Sequence, residues 1–398
     1  MVLLIQLYMD EQGVATHDHY FSPLQIGSIA EIIEPVSIGS SVVDVLASLK
    51  DEPKRKVVPV EQNGKVLGVI SRSTLEKIAG SASYTALDTS LEAYLIPALD
   101  TVEASTSIDA VMADFLKGEQ GDDASWFVVL YKQAYFGVVG IRKIVEYTNS
   151  IQVRDLLRAG EIQQNLLDKS LVNDKRLQVL LFNKMAHELG GDFYRVFRGG
   201  KDRYLVGCFD VAGKNISGSL ATMALGACFS ALELFKFEGG AEKTTQFINS
   251  LVRDVNPPGI FVTAVLFYID FTTMTVKIHN CGFSPVLIFV PLEDKRITFK
   301  AIQPSLPPLG IQEELDVDTG QIVSLTKGLR ITAYSDGLTD MTNVYGERYG
   351  EDKTFDLLKK FHQVPQNSLR RFLDQEIAGW IGEASLADDV TLVDMRFL

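Results

Sequence analysis

Asp192 and Asp210 lie near the two ends of one short segment of the chain. Aromatic and β-branched residues at 193–197 and 203–211 predict two strands with turn-forming residues between them. The two aspartates are equidistant from the middle of this hairpin, which places them opposite each other with Cβ atoms roughly 5 Å apart. Facing carboxylates repel each other unless a proton or a cation lies between them, which favours a divalent metal site. A pair of water-exposed turn aspartates is the alternative that the hairpin leaves open.

Three further aspartates lie where a predicted strand stops or starts. Asp336 follows the strand-like segment at 329–335, and Asp388 and Asp389 precede the apolar run VTLVDM. If these strand ends converge with the hairpin at one edge, their side chains form an all-oxygen cage. Such a cage suits Mg²⁺ or Mn²⁺, whereas zinc prefers nitrogen and sulfur ligands.

Composition limits the class of protein. The chain has 398 residues, 46% of them hydrophobic and 22% charged, which predicts a globular protein of more than one domain. The net charge of -13 argues against nucleic acid as a partner and against a basic membrane-binding face. Cys208, Cys228 and Cys281 are odd in number and widely spaced, which predicts buried core thiols in a reducing compartment.

Two apolar segments could be mistaken for targeting or membrane signals. The start of the chain, MVLLIQLYMDEQG, lacks a basic region, so we predict a first strand rather than a signal peptide. The segment 217–232 is short and contains Ser and Thr, so we predict a buried helix that packs closely on a sheet. We therefore expect a cytoplasmic protein without membrane contact.

The first part of the chain contains an internal repeat. The order helix, strand pair, helix occurs at about residues 38–80 and again at about 101–149. Ser40 or Ser41 is positioned to cap the first helix, and Asn63-Gly64 is a strong hairpin signal. The two copies predict one supersecondary unit that is present twice.

Residues 24–148 resemble a tandem pair of CBS domains. The resemblance implies a pseudo-twofold regulatory module, residues 1–148, that forms a homodimer and in many relatives binds adenine nucleotides. The aspartate of the family's sugar-binding motif is missing from both copies, because Ser71 is followed by Thr74 and Gly140 by Lys143. Adenine nucleotide binding and a purely structural or dimerising role both remain open.

The rest of the chain predicts a helical linker at 149–170, with a possible interruption at Asn149-Ser150, and a catalytic part at 171–398. Within this part, helices are predicted at 217–235, 241–255, 354–361 and 368–380, and strands at 193–197, 203–211, 260–270, 274–280, 285–290, 296–302, 329–335 and 387–397. Blocks of strands that alternate with helix pairs favour a helix, sheet, sheet, helix sandwich. The predicted fold class is α+β, with the CBS-like module joined through the linker to an α-β-β-α sandwich.

Six motifs in order carry a second resemblance. They are EIQQNLL at 161–167, GGDFY at 190–194, FDVAGK at 209–214, FVTAVLFYID at 261–270, AYSDGLTD at 333–340 and ADDVTLV at 387–393. Each motif alone is weak, but the ordered set resembles the SpoIIE-like branch of the PPM metal-dependent Ser/Thr protein phosphatases. The resemblance covers about residues 155–398.

This resemblance implies two Mn²⁺ or Mg²⁺ ions that activate a water for attack on a phosphoserine or phosphothreonine. Asp210 would bridge the ions with help from the Val211 carbonyl, and Asp192 would hold one of them. The second ion would be completed by Asp336 and Asp388, with Asp389 supporting the cage. Apolar linker residues Ile162, Leu166 and Leu167 are expected to contact the catalytic part.

Three basic residues near the predicted site have two interpretations each. Arg195, which stands where relatives commonly have a second aspartate, and Lys214 could attract a phosphate or be solvated. His187 could act as a general acid or be an ordinary surface histidine.

The leading hypothesis is a metal-dependent protein phosphatase that acts on a phosphorylated regulatory protein and is regulated through the N-terminal pair. The alternative from another class is a catalytically weak scaffold that has the phosphatase fold and only binds a phosphoprotein. A two-metal nuclease also uses clustered carboxylates, but the acidic charge balance offers no basic groove.

Overall fold

The computed structural model describes residues 21–53, 55–80, 91–98, 100–117, 126–167, 174–213, 216–234, 240–257, 259–291 and 297–398. The chain divides into two compact units, Met1–Val153 and Arg154–Leu398. The predicted first strand at the start of the chain and Lys214 both lie outside the described residues.

The first unit contains two similar halves. Its elements are β1 (Val36–Ser37), α1 (Val42–Ser48), β2 (Val57–Gln62), β3 (Lys65–Ser71), α2 (Arg72–Ala79), β4 (Ile96–Pro97), β5 (Thr101–Glu103), α3 (Ile108–Lys117), β6 (Trp126–Tyr131), β7 (Ala134–Gly140) and the start of α4 (Ile141–Leu167). In each half a short strand pairs in parallel with the strand after the helix, which then forms an antiparallel hairpin with the next strand. The predicted internal repeat is confirmed as an order of elements, whereas kinship with CBS domains stays a prediction.

The two hairpins turn in the same way from different sequences. Asn63 and Gly64 have φ angles of 53° and 81°, and Lys132 and Gln133 have φ angles of 50° and 62°. Two successive left-handed residues are typical of the type I′ turn, which matches the twist of the flanking strands. The Asn-Gly pair predicted its turn, whereas Lys132-Gln133 carries no such sequence signal.

Helix α4 runs from Ile141 to Leu167 without a break, and the boundary between the two units lies within it. The interruption considered at Asn149-Ser150 is therefore wrong. Ser150 Oγ donates to the Tyr147 carbonyl oxygen at 2.7 Å, so its hydroxyl bonds back to the helix instead of competing with it.

The second unit has two five-stranded sheets, in the orders β15-β12-β11-β10-β9 and β14-β13-β16-β17-β8. Its elements are β8 (Leu177–Lys184), β9 (Asp192–Arg198), β10 (Arg203–Val211), α5 (Ile216–Leu234), α6 (Ala241–Val255), β11 (Val262–Asp270), β12 (Thr275–Cys281), β13 (Val286–Pro291), β14 (Ile297–Ile302), β15 (Gln321–Ser324), β16 (Arg330–Tyr334), α7 (Gly337–Asp340), α8 (Gly350–Lys360), α9 (Leu369–Ile381) and β17 (Val390–Phe397). Short 3₁₀ turns lie at Ile26–Ser28, Leu91–Tyr94, Val317–Thr319, Phe361–Gln363 and Gln366–Ser368.

Two apolar clusters hold these layers together. One contains side chains from both sheets and from α5 and α6, among them Phe209, Phe229 and Ile331. The other lies between the second sheet and helices α8 and α9, and includes Leu358 and Ile377. The predicted α-β-β-α sandwich is thus confirmed for this unit. The sequence did not predict strands β8 and β15.

Helix α5 is long and apolar enough to cross a membrane, judged by length and composition alone. Its buried residues include Leu225 and Phe229, and the Phe229 ring lies 5.9 Å from Phe193 and 5.4 Å from Phe209 between centroids. This packing agrees with the predicted buried helix. All three cysteines are free and buried, as predicted.

Candidate metal centre

The hairpin of β9 and β10 brings the first two aspartates together. Asp192 pairs directly with Asp210 in the antiparallel register, so the predicted pairing is confirmed. The Asp192 side chain is only 2% exposed, and its Oδ2 atom has no hydrogen-bond partner. Asp210 is partly exposed, and Thr263 Oγ1 lies 3.4 Å from its Oδ2 atom as a donor. A buried carboxylate oxygen without a partner is costly, which is a sign of a site that takes a proton or a cation.

The second sheet supplies the remaining aspartates from two neighbouring strands. Asp336 follows the end of β16, and Asp388 and Asp389 precede β17, which pairs antiparallel with β16. Antiparallel neighbours bring the end of one strand beside the start of the next. The two loops touch, because a Cβ atom at Gly337 would lie 2.0 Å from the Asp389 carbonyl oxygen. Only glycine permits this approach.

A cavity of about 270 Å³ opens between these strand ends. Its lining includes Asp210, Val211, Asp336, Asp388 and Asp389. Asp192 is not among the lining residues, so this aspartate lies buried behind the cavity wall, next to Asp210. The predicted acidic residues therefore meet at one edge of the sandwich.

The carboxylates disturb one another's protonation. Burial, followed by the charges of Asp336 and Asp388, raises the pKa of Asp210 to about 7. Burial, followed by the charges of Asp210 and Asp389, raises the pKa of Asp192 well above its usual value. Burial is the main cause of both shifts, and repulsion between the carboxylates is the second.

Asp389 differs from the other aspartates because backbone amides occupy both of its oxygens. Oδ1 accepts from the Ala186 N–H at 2.8 Å, and Oδ2 accepts from the N–H groups of Gly191 at 2.8 Å and Asp192 at 3.3 Å. This carboxylate therefore holds the loop that leads into β9. These contacts suit the predicted supporting role.

The donor set fits a hard divalent cation. Within the described ranges, no group of three or more His, Cys, Asp and Glu side chains is arranged to hold an ion as the side chains stand. The cluster nevertheless offers carboxylate and carbonyl oxygens alone, the ligands that Mg²⁺ and Mn²⁺ prefer. The unpaired Asp192 oxygen and the raised pKa of Asp210 show that a cation would relieve the cluster.

Gln163 in helix α4 is a site residue that the sequence did not reveal. Its side chain is 1% exposed, and it bonds the backbone of Gly190, two residues before Asp192. Leu167 is buried in the core as expected, but Ile162 is 56% exposed, so its predicted contact is wrong. A glutamine four residues before Leu167 shares its helix face, which is the only signal that the sequence offered.

The structure places the basic residues Arg195 and His187 in different surroundings. Arg195 is 4% exposed, and its Nη1 atom donates to the Leu166 carbonyl oxygen at 2.9 Å. Arg195 thus supports the end of α4. This contact matches neither of the two predicted interpretations, which were solvation and attraction of a phosphate. His187 is exposed and, among the lining residues that the structure describes, is the one basic side chain at the cavity.

The chain is similar to several known proteins. A family model described as stage II sporulation protein E (SpoIIE) matches residues 200–398. Two relatives are the phosphoserine phosphatase RsbP of Bacillus subtilis, 28% identical over 225 residues, and protein IcfG of Synechocystis sp., 22% identical over 329 residues. These alignments cover 54% and 75% of this chain, and 51% and 50% of the relatives. The chain therefore spans about half the length of the curated relatives that it matches.

A solved structure supports the fold independently. The second unit resembles the PP2C domain of SiaA from Pseudomonas aeruginosa, with a TM-score of 0.54 and 20% sequence identity. The likeness covers 63% of this chain and 99% of that domain. The family match spans half of the chain and includes Asp210, Asp336, Asp388 and Asp389, the aspartates that line the cavity. The chain belongs to the SpoIIE family and carries a PP2C-type phosphatase fold in its C-terminal part.

Proposed function

We propose that this protein is a Mn²⁺- or Mg²⁺-dependent phosphoserine/phosphothreonine protein phosphatase. The observation that carries the proposal is the convergence of Asp210, Asp336 and Asp388 on one cavity in a chain of the SpoIIE family. Family membership alone supports the fold, and it is the acidic lining of the cavity that supports turnover. Its relative RsbP is named a phosphoserine phosphatase, which supports serine phosphate esters as the substrate class.

Each residue of the site would have a distinct role. Asp210, Asp336 and Asp388 would hold the ions, with Asp192 and the Val211 carbonyl completing the set. Two such ions would supply the positive charge that polarises a phosphate and lowers the pKa of a water.

The rest of the site positions these groups. Asp389 fixes the backbone of 186–192 through three amide hydrogen bonds, and the Thr263 hydroxyl orients the Asp210 carboxylate. Leu189 and Phe261 give the cavity apolar walls, which limit competing water.

The substrate that we propose is a phosphorylated regulatory protein. The cavity opens at the edge of the sandwich, where Asp336 is exposed and Asp388 is partly exposed in the loops beside it. A phosphoserine on a protein surface can reach such a site, and the acidic rim disfavours nucleic acid.

Regulation by the N-terminal unit is the second part of the proposal. We propose a CBS-like module at 1–148, a linker at 149–170 and a phosphatase domain at 171–398, with dimerisation through the first module. The repeated halves of the first unit and the continuous helix α4 support this division. A cytoplasmic location remains a prediction from the cysteine pattern.

The direct test is phosphate release from p-nitrophenyl phosphate and from phosphoserine and phosphothreonine peptides, with and without added Mn²⁺. We expect release that depends on the cation and is lost with a chelator. Binding of phosphopeptides without release in saturating Mn²⁺ would favour the scaffold alternative. Release that is equal with a chelator would contradict the metal site.

A further inference from the structure

The cavity at the edge of the sandwich offers few groups that can give up a proton. Apart from its four aspartates, Thr263 and His187, the described lining consists of apolar residues and glycine. Thr263 Oγ1 is already engaged with Asp210, at 3.3 Å from the carbonyl oxygen and 3.4 Å from Oδ2. Within the described lining, His187 is therefore the one side chain that can bring an ionisable N–H group to the cavity.

The backbone around His187 is anchored, whereas its ring is not. Asp389 Oδ1 accepts from the N–H of Ala186, the preceding residue, and Asp389 Oδ2 accepts from the Gly191 N–H, both at 2.8 Å. The side chain of His187 is exposed, and no hydrogen bond or ion pair among the described residues involves its ring. This arrangement holds the residue at the cavity and leaves the imidazole available to a ligand.

Hydrolysis of a phosphoserine needs a proton donor at this place. The oxygen of the attacking water forms a bond to phosphorus, and the bond between phosphorus and the seryl oxygen breaks. The electron pair of that bond goes to the seryl oxygen, which must gain a proton to leave as an alcohol. Ionised carboxylates only accept hydrogen bonds, whereas histidine exchanges a proton readily near neutral pH.

We propose that His187 is a catalytic residue that donates a proton to the seryl or threonyl oxygen as its bond to phosphorus breaks. The proton that the attacking water loses restores the imidazolium through the solvent, so ester and water become alcohol and phosphate without another reactant. The charged side chains that share the cavity with His187 are all carboxylates, so the described lining offers no second cation for this role. The inference rests on the proposed function, because it assigns a role within that reaction.

The test uses two substrates that differ in their leaving group. p-Nitrophenolate is a weak base that leaves without a proton, whereas a seryl alkoxide is a strong base that requires one. The variants of the full chain are His187→Ala and His187→Gln, with Glu188→Gln as a control at an exposed neighbour outside the cavity lining. The measurements are kcat and KM for p-nitrophenyl phosphate and for a phosphoserine peptide in saturating Mn²⁺, and the Kd values for Mn²⁺ and inorganic phosphate by calorimetry.

We expect kcat for the phosphoserine peptide to fall about 100-fold or more in both His187 variants, because glutamine and alanine cannot transfer a proton. For p-nitrophenyl phosphate, kcat should fall less than about threefold, since its leaving group needs no proton. KM and both Kd values should stay within about twofold of the wild type, because a proton donor acts in the transition state rather than in binding. Glu188→Gln should match the wild type throughout.

Three results would overturn the proposal: an equal loss of kcat on both substrates, an unchanged kcat on the phosphoserine peptide, or a raised KM on both substrates with a weakened Kd for phosphate. The last result would make His187 a phosphate-binding residue. Retained turnover of p-nitrophenyl phosphate and retained Mn²⁺ binding show that a variant is folded, and if His187→Ala fails this check, His187→Gln decides. A wild type that releases no phosphate from either substrate contradicts the proposed function and this role together, whereas an active wild type with equal losses in the variants counts against His187 alone.

Discussion

Asp210 is the residue on which most of the proposed chemistry depends. It pairs with Asp192 across the hairpin and also shares the cavity with Asp336 and Asp388. We expect Asp210→Asn to lower metal-dependent phosphate release at least tenfold, because an amide is a weaker ligand for a hard cation than the carboxylate that it replaces. The measurement is kcat and KM in saturating Mn²⁺, with the exposed Asp318→Asn as a control. More than about a tenth of the rate in a folded Asp210→Asn protein would contradict the assignment.

The raised pKa of Asp210 also predicts how the stability of the metal-free protein depends on pH. The folded pKa of Asp210 is raised to about 7 from an ordinary value of 3.8, so the folded state holds the proton more tightly. Protonated Asp210 therefore contributes fully to the stability of the metal-free protein below about pH 4. This contribution is lost as the pH rises to about 7.

Thermal unfolding in a chelator checks this prediction. Between pH 5 and 7.5, Tm should fall more in the wild type than in Asp210→Asn, by at least about 3 °C. Equal slopes in the two proteins would show that Asp210 is not the titrating group. Added Mn²⁺ should flatten the wild-type slope.

At the scale of elements, β16 and β17 carry the second half of the site, and a buried ion pair joins them. Arg330 donates to both oxygens of Asp394, at 2.7 and 2.8 Å, and Thr332 Oγ1 donates to Oδ1 at 2.7 Å. Arg330→Met should destabilise the protein by about 3 to 5 kcal/mol, because it leaves a buried carboxylate without its cation.

Urea unfolding measures this cost. The double variant Arg330→Met/Asp394→Leu should recover most of the lost stability, since no unpaired charge then remains. A single variant as stable as the wild type would mean that Asp394 is neutral or hydrated in the folded protein.

Elements differ in how well the sequence predicted them. The hairpin of β9 and β10 was predictable because its alternation and its turn are local signals. Strand β8 was not predicted, since its sequence LQVLLFNK is apolar without regular alternation, and its pairing with β17 joins residues some two hundred positions apart. Gln163 was missed for a related reason. An apolar pattern assigns helix faces, and a buried amide is recognised only when its backbone partner is known.

The molecule has a C-terminal unit whose family is known and an N-terminal unit whose assignment to CBS domains rests on resemblance alone. In the first unit, Ser71 Oγ forms a hydrogen bond with Thr74 Oγ1 at 2.7 Å, and Lys143 Nζ forms an ion pair with Glu31 at 3.2 Å. Residues at the expected sugar-binding positions are therefore engaged within the protein. A structural or dimerising role for the unit remains a prediction.

We expect residues 1–148 to fold alone, to dimerise and to bind adenine nucleotides weakly or not at all. Sedimentation measures the dimer, and calorimetry with ATP, ADP and AMP measures binding. Any of the three with a Kd tighter than about 10 μM would contradict this view of Thr74 and Lys143. A monomer at all concentrations would remove the basis for the proposed dimer.

Arg195 gives helix α4 a second attachment to the strand that bears Asp192. Gln163 holds Gly190, and Arg195 holds the Leu166 carbonyl oxygen, so the two attachment points on the strand side are five residues apart, roughly 16 Å in an extended chain. One attachment point would leave a free hinge, about which the helix could turn while the strand stayed in place. With two points, the end of α4 cannot turn about a single contact, so we expect a rotation of the helix end to displace the start of the strand as well.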